Sequence, residues 1–252
     1  MAIQARRALV GLVTTAAVLA LPAVAAAAPL LTVTPSTTTA GTSPATVTFN
    51  STFSTAPNDV TFALPAGLLA NANQGGGACL AATSLTTACQ VGSGTVTSGA
   101  APAGSVNLYL VPAPAAGDAA GVALVQGSNT LSIAAVTVRS TDGGLNVAFS
   151  NLSAYGISNL NVSLTTLRMP SSCPTTPANV TLTADGASTT APLTVTGCSG
   201  LTYQPALTAS LTKDAHDQGG ELVLGITQGA TEAASSTITL GLGKSITPNV
   251  SA

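Results

Sequence analysis

The chain has 252 residues, and only 6% of them are charged, six basic and eight acidic side chains in all, against about 25% in ordinary domains. So few cations exclude nucleic acid as a partner, and Thr, Ser and Asn are left to take the solvent-facing positions. The length suffices to bury a sizeable core, in two or more domains.

Residues 1–28 read as a secretory signal peptide. Arg6 and Arg7 are followed by an apolar run from Ala8 to Leu21 and then by small residues from Ala23 to Ala27. The run before Pro22 is too short to span roughly 30 Å of hydrocarbon, and cleavage is expected just before Ala28. No Cys near that point offers a lipid anchor, so no stable membrane insertion is expected after cleavage, and the expected address is secreted, outside a bacterial cell. Removal of the leader leaves four basic residues against eight acids, a net charge of −4.

From there on apolar residues recur with period two, the mark of half-buried strands. The runs are Val47/Phe49, Val60/Phe62/Leu64, Val106/Leu108/Leu110, Leu131/Ile133, Leu145/Val147/Phe149, Leu160/Val162/Leu164, Val180/Leu182, Leu193/Val195, Leu207/Ala209/Leu211, Leu222/Leu224/Ile226 and Ile238/Leu240/Leu242. The positions between them are rich in Thr, whose branched side chain suits a pleated surface. Turns are expected at Asn73 to Gly77, Ala113 to Gly117, Asp142 to Gly144 and Asp217 to Gly220. Past the leader no window carries helical spacing. The pattern predicts an all-β fold, with immunoglobulin-like sandwiches in tandem over 29–115 and 116–204 and the start of a second repeat unit over 205–252.

Four cysteines in an exported chain read as two disulfides, and four allow three pairings. The local pairs are favoured, Cys79 with Cys89 and Cys173 with Cys198, each contributing about 3 kcal/mol by loop entropy. Zinc would need closely spaced Cys or His, and neither spacing occurs.

An internal repeat is the next signal. Val60 to Leu64, Leu68 and Asn71 align at a constant offset of 178 with Ile238 to Leu242, Ile246 and Asn249, and Leu31 to Thr34 align with Leu207 to Ser210 after a two-residue gap. A second copy therefore begins near Pro205.

With VTFALPAGLLAN at 60–71, NLYLVP at 107–112, RMPSSC at 168–173 and LTVTGCSGLTYQPALTASL at 193–211, the chain resembles a group of actinobacterial secreted tandem-repeat proteins. The resemblance implies architecture and address and supports pairing Cys173 with Cys198. It implies no chemistry.

Candidate sites are sparse. His216 lies in the loop-like stretch Lys213 to Gly220, and a histidine with acids at adjacent positions does not build a catalytic triad. Asp214, Asp217 and Glu221 do not follow the spacing of a calcium loop. Tyr155 is the one aromatic to test as an exposed ligand contact, with packing in the core or at its rim as the plainer reading. No catalytic residue, cofactor or metal is expected. The reading that follows is a secreted structural or adhesive, surface-associated repeat protein without catalytic activity, its partners among cell-wall or extracellular matrix components. A module for extracellular glycans or other ligands is the alternative, and a secreted hydrolase the third.

Overall fold

The computed structural model describes residues 27–98, 104–173, 178–213, 220–229, 232–233 and 238–241. The leader as far as residue 26, and Asp214, His216 and Asp217, lie outside the described residues.

Twelve strands form one sheet: β1 Leu30–Pro35, β2 Ala45–Thr52, β3 Val60–Ala63, β4 Leu69–Ala70, β5 Gln90–Ser98, β6 Gly104–Val111, β7 Ala120–Gln126, β8 Asn129–Val138, β9 Leu145–Phe149, β10 Ile157–Arg168, β11 Ala178–Ala184 and β12 Ala187–Leu193. Their order is β1-β2-β10-β5-β6-β7-β8-β9-β3-β11-β12, with β4 on β10. Every strand pair is antiparallel, so the all-β expectation holds.

A path of eleven antiparallel strands has an odd number of members, so its two ends run the same way. They meet in that sense. Thr39, just past β1, forms a parallel bridge with Thr196, just past β12. Ala40 N–H donates to the Thr196 carbonyl at 2.8 Å, and Thr196 N–H donates to the Thr38 carbonyl at 2.7 Å. The sheet is thereby nearly closed, which leaves few unpaired strand edges.

Alternation then sorts the side chains. On β2, Ala45, Val47, Phe49 and Ser51 point inward, and Thr46, Thr48 and Asn50 take the other face. Phe49 meets Phe62 of β3, which is not its neighbour in the sheet, with ring centroids 5.7 Å apart and planes at 63°. That edge-to-face pair adds about 1 kcal/mol beyond its burial and shows the sheet folded back on itself. One contiguous hydrophobic core runs from Ala45 to Leu193.

This arrangement differs from two sandwiches divided at residues 115 and 116. That point falls in the turn between β6 and β7, which are paired from Asn107 opposite Val125 to Val111 opposite Gly121. β10, from the second expected domain, lies between β2 and β5 of the first. Alternation reveals which face of a strand is buried, and it carries no information on which strand lies alongside.

Both disulfides form as expected. Cys79–Cys89, with Cα atoms 5.5 Å apart, staples the excursion between β4 and β5, which the glycines at 75–77 turn into short 3-10 segments. Cys173–Cys198, with Cα atoms 5.8 Å apart, ties the chain leaving β10 to the chain leaving β12. Between those two runs the loop after β1, whose Gly41 N–H donates to the Pro170 carbonyl at 3.0 Å. The second disulfide thus fastens the seam. Two disulfides fit an oxidising compartment outside the cytosol.

A separate hairpin follows, β13 Ala206–Lys213 with β14 Gly220–Thr227. Leu207 lies opposite Ile226, Ala209 opposite Leu224 and Leu211 opposite Leu222, so three successive pairs on one face are apolar. Ile238 to Gly241, expected as a strand, is irregular. β3, its counterpart in the alignment, is held between β9 and β11, and among the described residues no strand pairs with 238–241.

Candidate functional site

At one end of the barrel the inward-facing residues leave room. β5 makes its last pair with β10 at Gly92 and Leu164, and β4 then takes up the same strand at Leu167 and Arg168. Beneath this junction lies a cavity of about 230 Å³, walled by Leu110 on β6, Val122 on β7, Val136 on β8, Val147 on β9 and Leu164 and Leu167 on β10. The small side chain of Ala120 lines it as well, and Ala70, Ala72 and Ala119 stand exposed at its rim. A second, deeper void of about 40 Å³ behind Phe49 and Phe62 shares the walls Leu64, Val122, Val147 and Leu164.

The lining is almost entirely hydrocarbon. Asn71 and Thr166 are its polar side chains, while the exposure of Asn71 and of Val138 (57%) marks where it opens to solvent.

Arg139 shapes the same end. Its Nη2 donates to the Leu64 carbonyl at 2.7 Å and its Nη1 to the Leu145 carbonyl at 3.1 Å, and both of those residues line the cavity. The remaining donors go to Asn146 Oδ1 at 3.0 Å and to the two Asp142 carboxylate oxygens at 3.0 and 2.8 Å. All five N–H groups of the guanidinium are engaged. The Asp142 carboxyl is held below its usual range, first by that hydrogen bond from Arg139 and then by the Gly144 N–H.

Two other acids are occupied in turns. Asp185, in a left-handed conformation between β11 and β12, accepts from the N–H groups of Asn58 and Asp59, and Asp118 accepts from Ala115 N–H. Among the described residues no group of three or more His, Cys, Asp or Glu could hold a metal ion. Glu221 is exposed at the start of β14.

Tyr155 closes the 3-10 turn Leu152–Tyr155, half-buried against the core, and its carbonyl accepts a hydrogen bond from the Ser98 hydroxyl. It lies away from the cavity lining. The cavity residues on β7 escaped the period-two reading, because Ala120 to Val125 is a continuous apolar run without alternation. The run is bounded by Gly117 and Gly127, a signal for a strand covered on both faces.

No helix among the described residues is long and apolar enough to cross a membrane. No family model, curated protein or solved structure matches the chain.

Proposed function

We propose that the chain is a secreted repeat protein of the kind its sequence resembles, structural or adhesive in role and without catalytic activity, associated with a bacterial surface or its surroundings. The carrying observation is that the β13–β14 hairpin repeats the register of β1–β2. In the first hairpin Leu31 faces Ser51, Val33 faces Phe49 and Pro35 faces Val47. In the second, Leu207 faces Ile226, Ala209 faces Leu224 and Leu211 faces Leu222. Both strands of the second lie at near-constant distances in sequence from their counterparts, and the apolar face is on the same side. In the barrel that face is closed, with Val47 0% and Phe49 2% exposed. In the second hairpin Leu207 is 61% and Leu211 68% exposed. A barrel unit followed by the opening hairpin of another supports a tandem array, in which each unit contributes length and bulk.

The disulfides and the scarcity of charge support service in a harsh, oxidising setting, where neutral surfaces are indifferent to salt. Engagement of Asp118, Asp142 and Asp185 in turns favours the non-catalytic reading over a hydrolase. The test is fractionation of producing cells together with an attachment assay on a deletion strain. The proposal expects the protein in the medium or on the surface with all four thiols oxidised, and weakened surface attachment or envelope integrity without it. Recovery from the cytosol with free thiols would defeat it.

A further inference from the structure

We propose that the cavity beneath β4 is a binding site for one small, neutral, apolar molecule, of the class of a two-ring aromatic or a medium-length hydrocarbon chain, with at most one polar group at the opening. Size is the first argument. At about 230 Å³ the cavity is larger than the roughly 150 Å³ of an engineered apolar cavity that stays dry and takes up benzene. Water gains little there, since Leu110, Val122, Val136 and Val147 offer it no partner, and a hydrocarbon recovers the missing dispersion contacts. The deeper void behind the shared walls Leu64 and Leu164 gives a longer guest somewhere to extend if those side chains rotate.

Charge is the second argument. Arg139 is the cation that reaches the cavity's walls, and its five donors are all committed to Asp142, Asn146 and the carbonyls of Leu64 and Leu145. An anionic guest would lose its water and gain no free donor from it. A sugar would strand its hydroxyls against hydrocarbon for the same reason. A single polar group can stay at the rim beside Thr166 and Asn71.

The experiment titrates naphthalene, 1-octanol, octanoate and N-acetylglucosamine into the oxidised full chain carrying methyl labels, followed by NMR. The expected result is saturable one-to-one binding of naphthalene and of 1-octanol, with nuclear Overhauser contacts to the methyls of Val122, Val147 and Leu164. Octanoate should bind at least about tenfold more weakly than 1-octanol, because at the rim its charge sheds part of its water and meets no free donor from Arg139. Ala120→Phe, which fills the cavity, should weaken naphthalene by at least about tenfold while the far-ultraviolet spectrum stays that of a β protein. Absence of saturable binding overturns the proposal. Contacts to Leu207 and Ile226 of the second hairpin, or to Ile133 on the outer face, with none inside, also overturn it, and this readout stands on the unmodified protein even if Ala120→Phe fails to fold. Equal affinity for octanoate and 1-octanol would remove the claim of neutrality.

Discussion

Arg139 and Asp142 face each other across a tight turn as a two-pronged pair, Nε to Oδ1 at 3.0 Å and Nη2 to Oδ2 at 2.8 Å. The turn joins β8 to β9, and through Arg139 it is also fastened to Leu64 at the end of β3. Arg139, held by Asp142, thus ties together the ends of three consecutive strands of the sheet at the cavity end.

Acid should loosen that lock. Because the folded pKa of Asp142 is lowered, its contribution is complete above the unfolded value of about 4 and is lost as pH falls through the folded one. Urea midpoints should therefore be flat from about pH 5 upward and fall below about pH 4, and Asp142→Asn should flatten that acid limb. A midpoint that varied just as much with pH in the variant would refute the assignment. Arg139→Met should cost about 1–3 kcal/mol by leaving the Leu64 and Leu145 carbonyls without their donor.

Gly94 on β5 lies tight against β10. A Cβ there would collide with the Asn161 carbonyl oxygen and lie 2.8 Å from the Val162 Cα, both backbone atoms that cannot swing aside. Gly94→Ala should lower stability by roughly 2–4 kcal/mol, whereas Gly117→Ala, with nothing within 4 Å but a φ of +97°, should cost about 1 kcal/mol. Thermal melts of the two variants make the comparison, and equal losses would contradict the close approach.

Ser51 points into the core at 3% exposure with an Oγ that has no hydrogen-bond partner. In the second hairpin the corresponding position is Ile226. Ser51→Ala should be neutral or stabilising by about 1 kcal/mol, since it removes a buried polar group without adding volume. A loss of more than that in a denaturant titration would mean the hydroxyl is satisfied.

Much of the fold was legible in the sequence and its connectivity was not. Phe49, Phe62 and Phe149 sit in the core as their phase requires. Ile133 does not, because a register shift between Leu124 and Val125, at Leu131 on β8, leaves Ala134 and Val136 inward and Ile133 47% exposed. An irregularity of one residue inverts every later side chain, and period-two reading cannot foresee it. The cavity was illegible for a related reason. It is lined by Ala70 and by the adjacent Ala119 and Ala120, which converge from two distant places in the chain, and a small residue announces a space only when its neighbours across the sheet are known. Local disulfide pairing, by contrast, needed only sequence distance.

Removal of the seam disulfide should be felt in a different place from removal of the other. Cys173→Ala with Cys198→Ala should cost about 3 kcal/mol and raise amide exchange in the bridge at Thr39 and Thr196. Cys79→Ala with Cys89→Ala should leave that bridge protected and expose the excursion before β5 instead. Equal protection of Thr196 in both variants would show that the disulfide does not hold the seam.

The central claim is that residues on both sides of the β6–β7 turn form one nearly closed sheet. Its most direct test is to place a protease site in the exposed turn at Pro114 to Ala116, cleave it in the oxidised protein, and pass the product over a sizing column. One sheet predicts that the two pieces, unconnected by any disulfide, travel together as a single folded particle and separate only in denaturant. Two independently folded particles eluting apart under native conditions would contradict it.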